Sequence, residues 1–415
     1  MGLTSVNSIE FKRLLAKSFY DYSVWTEIAT MEERHAKMGE TITVYSQDEV
    51  SGWVVNQSTG SFTSQTLNQT SETVTINRAP SLAFNYTDRD KTLSITDFLE
   101  KAKKSGTEEL LRMYDGDILG EVIRANHTFD NGNLTGGDAS GTPITITTSN
   151  TIEVLTRAQV LVPQTERENG LFFIGTSDYF ANLTVGLQAN ARATALWDQI
   201  VKNWMTVSKA YRGTFSGVDL YESTRLMVST TLTFSGNPAD GDTITIKTSK
   251  GNAVLTIVTT LGSTAGSILR GASTAVTIER IAEFLLNPTA TTTTQIGFSG
   301  DVATLEGKIA TELYYANNDT EFDTTTLTIN YKGYTGSTVT ESSSAITVGT
   351  KCVNNFMSKK GCVRVLIGKS ILDGFQVTDL RWQNKAAEMM SSEWYYGLKL
   401  LNEDAQYSVR IKTTK

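Results

Sequence analysis

The chain has 415 residues, of which 39% are hydrophobic and 20% charged, a composition typical of a folded protein with two or three domains. A net charge of −7 and dispersed Lys and Arg leave no basic stripe for gripping phosphates, so tight nucleic-acid binding is not expected. No apolar run approaches the roughly 18 residues that span a bilayer, and the first residues lack the apolar stretch of a secretory signal. We therefore expect synthesis in the cytoplasm and no membrane contact.

The N-terminal segment carries apolar residues at helical spacing, which predicts a helix over residues 8 to 38. A stripe of this kind is more often packed than solvated, and a neighbouring subunit is one surface that could cover it. The stripe consists of Phe11, Leu14, Leu15, Phe19, Tyr22, Trp25 and Ile28.

Residues 41 to 86 alternate between apolar and polar, which predicts a long β-hairpin with its tip between Asn56 and Thr73. A two-stranded hairpin of that length is marginally stable alone. It needs a partner surface, either in its own chain or in another copy.

Residues 94 to 124 form the clearest predicted helix, with Ser94 and Asp97 as a capping-box-like start. Some 30 helical residues would run about 45 Å, which is long for a globular protein. Gly106 and Gly116 favour a kink or fraying within it.

The next part alternates helices and strands. We predict a helix from Thr151 to Leu161, a buried strand from Leu171 to Ile174, helices over 177–205 and a strand from Gly217 to Tyr221.

From about Ser229 to Thr350 the composition shifts to Thr, Ser and Gly, with alternating strands and one helix from Thr274 to Leu286. This predicts a mostly β insert of about 120 residues, a normal size for a small domain. A strand from Val363 to Ile367, a helix from Asp379 to Ser392 and a strand from Tyr407 to Ile411 then complete the interrupted main domain.

The residues that carry catalysis are scarce. The two histidines, His35 and His127, have no spacing that joins them to a nucleophile. No two glycines stand two apart, which excludes the G-x-G-x-x-G dinucleotide loop, and Gly368-Lys369-Ser370 follows Val363 where a phosphate loop needs glycine. We predict no catalytic residue and no cofactor.

Metal and redox chemistry are equally weak. Three acidic clusters, at 88–90, 115–117 and 319–323, lack EF-hand spacing, and we expect solvated carboxylates in turns or helices. A weak cation at a subunit interface stays open. Cys352 and Cys362 are expected to be buried free thiols, ahead of a disulfide or a metal site.

The order of these parts resembles the tailed-phage major capsid proteins with the Hong Kong 97-type fold, particularly the branch with an inserted domain. The resemblance covers about 1–227 and 351–415. The segments that carry it are Ser81 to Tyr86, Glu108 to Asp117, Val162 to Arg167 and Tyr396-Gly397.

The resemblance implies an α+β fold with an N-terminal arm, an E-loop, a peripheral domain containing a long spine helix, and an axial domain. A mostly β insertion domain is added to it. The implied boundaries are 1–40 for the arm, 41–92 for the E-loop hairpin, 93–150 for the peripheral domain, 151–227 for the first axial part, 228–350 for the insertion and 351–415 for the axial completion and C-terminal strand.

The resemblance also implies a function: self-assembly into the icosahedral shell that encloses a phage genome, with assembly in the host cytoplasm. Copies would form hexamers and pentamers with a scaffolding protein and a portal, a decoration protein being optional, and would meet packaged DNA by proximity only. Hypothetical assembly contacts are Phe11, Leu15, Phe19, Trp25, Trp53 and Phe62.

Two other classes remain open. A tail-tube or baseplate protein of a phage is the main alternative, because Thr/Gly-rich β modules recur there. A carbohydrate-binding or adhesin-like β protein is a further one, although the insert contains no Trp for stacking on sugars. An enzyme comes last.

Overall fold

The structure is a computed structural model that describes residues 28–33, 39–47, 69–78, 81–87, 105–106, 108–109, 112–137, 141–167, 170–189, 211–248, 251–262, 264, 266–286, 298–299, 322–332, 338–367, 376–381, 387–393 and 395–414. These residues group into two compact units. Unit 1 is formed from residues within 29–110 and 363–403, and unit 2 from residue 28 and residues within 111–362 and 404–415.

The described strands are β1 (Ala29–Glu33), β2 (Thr41–Gln47), β3 (Gln69–Thr75), β4 (Ser81–Thr87), β5 (His127–Phe129), β6 (Leu171–Gly175), β7 (Tyr211–Phe215), β8 (Val218–Glu222), β9 (Met227–Phe234), β10 (Thr243–Thr248), β11 (Gly251–Val258), β12 (Ser267–Leu269), β13 (Phe298–Ser299), β14 (Thr326–Lys332), β15 (Thr338–Glu341), β16 (Ile346–Val348), β17 (Cys352–Lys359), β18 (Val363–Ile367), β19 (Gln376–Arg381), β20 (Ala387–Glu393), β21 (Tyr396–Leu400) and β22 (Val409–Thr414). The described helices are α1 (112–120), α2 (Thr151–Leu161), α3 (Gln164–Arg167), α4 (Ser177–Ala189), α5 (Thr274–Leu286) and α6 (Asn402–Ala405). Two 3₁₀ turns lie at Glu121–Arg124 and Asn131–Asn133.

Unit 1 joins early and late parts of the chain in small sheets. Among its described strands the orders are β1-β18-β21, β19-β20-β4 and β2-β3. β1 runs parallel to β18, with Ala29 opposite Val363. The predicted helix over 8–38 is therefore wrong for residues 29–33, because pairing with a strand from the far end of the sequence decides their conformation. The rest of that prediction lies outside the described residues, apart from Ile28.

The predicted helix from Asp379 to Ser392 is also wrong. Its described residues lie in β19 and β20, and β20 pairs antiparallel with β19 on one edge and with β4 on the other. The segment Ala387–Glu393 is rich in helix formers, but bonding along both edges satisfies its backbone and overrides that local preference. β4, which the sequence placed in the long hairpin, belongs to this sheet instead.

Unit 2 is built on a sheet that contains nine strands among the described residues. Its main path is β14-β9-β17-β6-β8-β7, with β16 paired to β9, and with β22 lying between β17 and β5. β17 is buried almost throughout, since β22 covers one edge while β9 and β6 share the other.

One face of this sheet is covered by α2 and α4. Because side chains alternate along a strand, Met357, Phe173 and Ile411 point to this same face, towards Leu155 and Leu183 of the helices. α2 and the strand β6 confirm their predictions. Pro163 follows the end of α2, because proline has no N–H to continue a helix and disfavours the helical conformation of the residue before it, and Val162 is extended.

α1 lies beside the start of β9 and the end of β14, where Asp115 pairs with Arg225 and Asp117 pairs with Lys332. Residues 105–106, 108–109 and 112–120 are helical, which confirms the described part of the predicted long helix, and a 3₁₀ turn ends it at Arg124. Gly116 is buried within the helical residues 112–120. The strand β5 that follows was not predicted.

The Thr-rich segment contributes to two sheets. Its first strand, β9, is part of the nine-stranded sheet, and so are β14 and β16. The order β13-β12-β11-β10-β15 forms a separate sheet, whose apolar face includes Ile246 and Leu255, while α5 buries Ile281 and Phe284. α5 spans the residues predicted for it, and Gly241 has the positive φ expected of the turn after Pro238.

Candidate functional site

The paired strands β2 and β3, which we call the foot of the hairpin, are the part of the candidate assembly surface that the structure describes most fully. β2 and β3 pair antiparallel over seven residues each, from Thr41 opposite Thr75 to Gln47 opposite Gln69. This confirms a hairpin, but β3 begins at Gln69, so the predicted tip ending at Thr73 was drawn too long. Pairing in register with β2 extends the strand into polar residues that looked like a turn.

The two rows of side chains on the hairpin differ sharply. Val74 and Ile76 are buried with Leu366 and Leu401, and Ile42 and Val44 pack against this cluster. The opposite row, Thr41, Thr43, Tyr45, Ser71 and Thr73, is exposed, and Tyr45 retains 67% of its accessible surface. An apolar row therefore ties the foot to unit 1, while a polar row with one aromatic faces outward.

Polar contacts fix the foot further. Lys399 Nζ lies 2.9 Å from Glu72 Oε2, and the Asn402 backbone N–H donates to Glu72 Oε1 at 2.8 Å. Arg78 and Tyr396 exchange backbone hydrogen bonds of 3.1 and 3.0 Å. A Cβ at Gly397 would lie 2.3 Å from the Thr75 carbonyl oxygen, so only glycine allows β21 to approach β3 this closely.

The segment leading out of the N-terminal region is fixed at Ile28. Its side chain is buried, and its carbonyl accepts a hydrogen bond from Cys362 Sγ at 3.7 Å. Complete burial raises the pKa of the Cys362 thiol to about 12. Burial also raises the pKa of Cys352, and both cysteines are buried free thiols, as predicted.

The six residues predicted as assembly contacts lie outside the described residues. Phe11, Leu15, Phe19 and Trp25 fall within 1–27, and Trp53 and Phe62 fall within 48–68. The structure shows only where these two segments join the folded chain, at Ile28 and between β2 and β3.

The sequence missed a group of buried charges in unit 2. Asp115 and Asp117, predicted as solvated, are 2% and 8% exposed, so that prediction is wrong for this cluster. Asp115 pairs with Arg225, and Asp117 Oδ1 lies 2.6 Å from Lys332 Nζ. The signal was available: both carboxylates lie inside an apolar helical run, where a charge is retained only if it finds a partner.

A polar network lies in the nine-stranded sheet of the same unit. Arg410 Nε donates to Asn354 Oδ1 at 2.7 Å and its Nη2 donates to Ser229 Oγ at 3.1 Å. Ser229 Oγ in turn donates to Asn330 Oδ1 at 2.5 Å. These groups are almost fully buried and bonded to one another, which makes the network a structural feature of the sheet.

The other predicted polar sites are dispersed. Asp323 is exposed in a turn, where its Oδ1 accepts the backbone N–H groups of Thr325 and Thr326, and these bonds lower its pKa. His127 lies in β5, while His35, Asp88, Asp90, Asp319 and Gly368-Lys369-Ser370 lie outside the described residues. In the part that the structure describes, no group of three or more His, Cys, Asp or Glu is placed to hold a metal ion.

One lysine has two acidic neighbours. Lys359 Nζ lies 3.0 Å from Asp404 Oδ1 and 3.2 Å from Glu166 Oε2, and 4.7 Å from the centroid of the Tyr407 ring. Burial alone would lower the pKa of Lys359, but hydrogen bonds and charge from Asp404 and then Glu166 outweigh it and raise the pKa. The cluster ties β17 to the segment before β22.

No family model matches the sequence, and no curated protein resembles it. Among the helices that the structure describes, none is both long and apolar enough to cross a bilayer.

Phage capsids are among the solved structures that are similar to this chain. The capsid of Ralstonia phage GP4 is similar at 8% identity and a TM-score of 0.47, covering 95% of this chain and 91% of that one. The capsid asymmetric unit of cyanophage Pam1 is similar at 13% identity and a TM-score of 0.45, covering 95% and 92%. The bacteriophage PhiM1 mature capsid is similar at 10% identity and a TM-score of 0.44, covering 95% and 87%.

Proposed function

We propose that this chain is the major capsid protein of a tailed phage, and that its copies form the icosahedral shell around the genome. The observation that carries the proposal is the hairpin foot. Its inner row is buried in unit 1, its outer row exposes Tyr45, and between its strands the chain runs on through residues 48–68. A hairpin of that length gains stability when it lies on another surface, which a neighbouring copy provides in a shell.

We assign the hairpin to the E-loop, the rest of unit 1 to the peripheral part, and the nine-stranded sheet of unit 2 to the axial part. This assignment changes the predicted boundaries in three places. Residues 363–403 move from the axial to the peripheral part, because β18 pairs with β1 and β20 pairs with β4. Residues within 111–150, including β5, move from the peripheral to the axial part, and β9, β14 and β16 move from the insertion to the axial part. The five-stranded sheet with α5 is assigned to the insertion.

The proposal includes partners but no chemistry of its own. Copies of the chain form hexamers and pentamers in the virion shell, a scaffolding protein and a portal act during assembly in the host cytoplasm, and a decoration protein is optional. Packaged DNA is met by proximity only, since the net charge is −7. No catalytic residue, cofactor or membrane contact is assigned.

Negative-stain microscopy of the purified protein tests the proposal, with the chain expressed alone and with its scaffolding protein. Closed shells or rings of capsomers are the expected result. Open tubes would favour the tail-tube alternative, and a strictly monomeric protein that binds sugars would overturn both.

Deleting residues 57–68 tests the hairpin and spares the paired strands β2 and β3. The subunit should stay folded, with an unchanged far-ultraviolet spectrum, but shell closure should be lost. Val254→Thr, on an exposed position of β11, is the matched control and should form normal shells. Normal shells from the deletion variant would show that the hairpin is not an intersubunit arm.

The N-terminal contacts are tested separately, by the combined variant Phe11→Ser, Leu15→Ser and Phe19→Ser. If these residues contact a neighbour, shells fail to close while the purified subunit keeps its thermal midpoint. A large drop in the midpoint with assembly intact would place the stripe inside its own subunit.

A further inference from the structure

Two buried ion pairs hold α1 from both sides. Successive residues of a helix are 100° apart, so Asp115 and Asp117 project about 200° apart around the axis. Asp115 meets Arg225 and Asp117 meets Lys332. The side chains of Asp115 and Lys332 are 2% and 6% exposed, and those of their partners Arg225 and Asp117 are 20% and 12% exposed, so both pairs are largely shielded from water.

Both cations come from the same end of one strand pair. Lys332 ends β14 directly opposite Met227, the first residue of β9, and Arg225 lies two residues before Met227. Met227 also packs against Ile123, which lies just past the end of α1. The helix and its 3₁₀ extension are thus held by three contacts at one end of the β9–β14 pair.

This arrangement is satisfied in one position only. Sliding α1 by one residue moves it 1.5 Å and rotates it by 100°, and sliding it by one turn moves it 5.4 Å. Either shift takes both carboxylates away from their cations and leaves buried charges without partners, which is strongly unfavourable. The apolar contacts of α1 alone would not discriminate as sharply, since apolar packing is non-directional.

Buried ion pairs are poor sources of stability, because desolvation offsets their attraction, and apolar replacements of similar volume are often neutral or better. We propose that Asp115–Arg225 and Asp117–Lys332 act as a register clamp: they are positioning residues that hold α1 in a single place on the sheet of unit 2. Their contribution is a unique subunit conformation rather than a more stable one. For shell assembly, which rests on the proposed function, uniqueness matters because symmetric assembly needs copies of one shape.

The test replaces each pair by apolar residues of similar volume, as D117L/K332M and as D115L/R225M. The thermal midpoint is expected to stay within a few degrees of the wild-type value or rise. We follow amide hydrogen exchange by mass spectrometry. Peptides covering residues 112–124 are expected to show either two populations or amide exchange at least tenfold faster than in the wild-type protein, and other peptides are expected to be unchanged. The single variant K332R keeps the charge pair with Asp117, so it should show the single slow population of the wild-type protein.

The control is the D219L/K360M variant, which removes a pair whose lysine side chain is 39% exposed, and it should leave exchange in 112–124 unchanged. A single slow population in both apolar variants would overturn the proposal. So would failure of both to fold, since the pairs would then be needed for stability. Exchange is measured on purified protein without shells, so its result is independent of whether the capsid proposal holds.

Discussion

The two faces of the nine-stranded sheet in unit 2 both bury aromatic rings but differ in their polar contacts. On the face under α2 and α4, Phe173 lies against Tyr179 with ring centroids 4.9 Å apart, and aliphatic side chains surround them. On the opposite face, the ring centroids of Phe172 and Phe356 lie 5.6 Å apart, and Arg410, Asn354 and Ser229 form a bonded network. Apolar packing supplies stability in proportion to area, whereas directional bonds select one arrangement. We call the first the apolar face and the second the polar face, after the contacts that distinguish them.

The largest expected effect is on the apolar face. Phe173→Ala should lower the free energy of unfolding by about 3–5 kcal/mol, because it removes a fully buried ring and leaves a cavity between β6 and α4. Urea or guanidinium denaturation measures the loss. Phe173→Leu, which keeps most of the volume, should cost less than about 1.5 kcal/mol. Equal losses in the two variants would show that the ring's volume is not what stabilises this face.

On the polar face, a single substitution should lower the free energy of unfolding more than a double substitution that removes both partners of a hydrogen bond. Arg410→Met leaves the buried Asn354 Oδ1 without its 2.7 Å donor and should cost about 2–4 kcal/mol. Adding Asn354→Leu removes the orphaned partner and should recover part of that loss. The same denaturation experiment measures both, and a double variant less stable than Arg410→Met would break the distinction between the faces.

Alkaline pH should weaken unit 2 through buried tyrosines. Burial raises the pKa of Tyr114 well above its usual value, and the charges of Asp115 and Asp117 raise it further. Burial raises the pKa of Tyr179 as well. A pKa raised in the fold means that the stabilisation is complete below the unfolded value near 10 and is lost as the pH rises above it, by at most about 1.4 kcal/mol per pH unit for each group.

Unfolding free energies at pH 8, 10 and 11 measure this slope. Tyr114→Phe and Tyr179→Phe should each reduce it, because each removes a buried phenol whose pKa is raised in the fold. An unchanged slope in both buried variants would mean that other groups cause the alkaline loss.

The smallest effect is expected at an ion pair that is partly exposed to solvent. Lys360 Nζ lies 2.7 Å from Asp219 Oδ2, but the lysine side chain is 39% exposed. Lys360→Met should change the free energy of unfolding by less than about 1 kcal/mol, because water and salt screen such a pair. A loss as large as that of Arg410→Met would show that burial does not separate the two kinds of polar contact.

Elements with local causes could be predicted from the sequence. α2 and α5 lie where apolar spacing and the proline after α2 indicated, since a helix satisfies its backbone within its own segment. Strand β6 is a continuous apolar run, and all of its residues are buried. The pairing of β2 with β3 followed from alternation alone.

Elements with distant causes could not be predicted in this way. β1 and β20 are strands because segments hundreds of residues away, β18 and β4, complete their hydrogen bonds, and β19 in turn pairs with β20. The apolar run around Asp115 and Asp117 indicates that each carboxylate needs a partner, but it does not identify Arg225 or Lys332, which are distant in sequence. The proposed intersubunit contacts, such as Trp53 and Phe62, lie outside the described residues and stay predictions.

The parallel pairing of β1 with β18 has a consequence for the order of synthesis. A ribosome adds roughly 5–20 residues per second, so about 330 residues, or some 15 to 65 s, separate the emergence of Glu33 from that of Val363. During that interval the hairpin β2–β3 can form from neighbouring residues. The backbone groups of β1 and β4 stay unpaired until β18 and β20 have been synthesised. The nascent chain is therefore most prone to aggregation late in translation, and slower elongation after residue 111 should lower the yield of folded protein more than slower elongation before it.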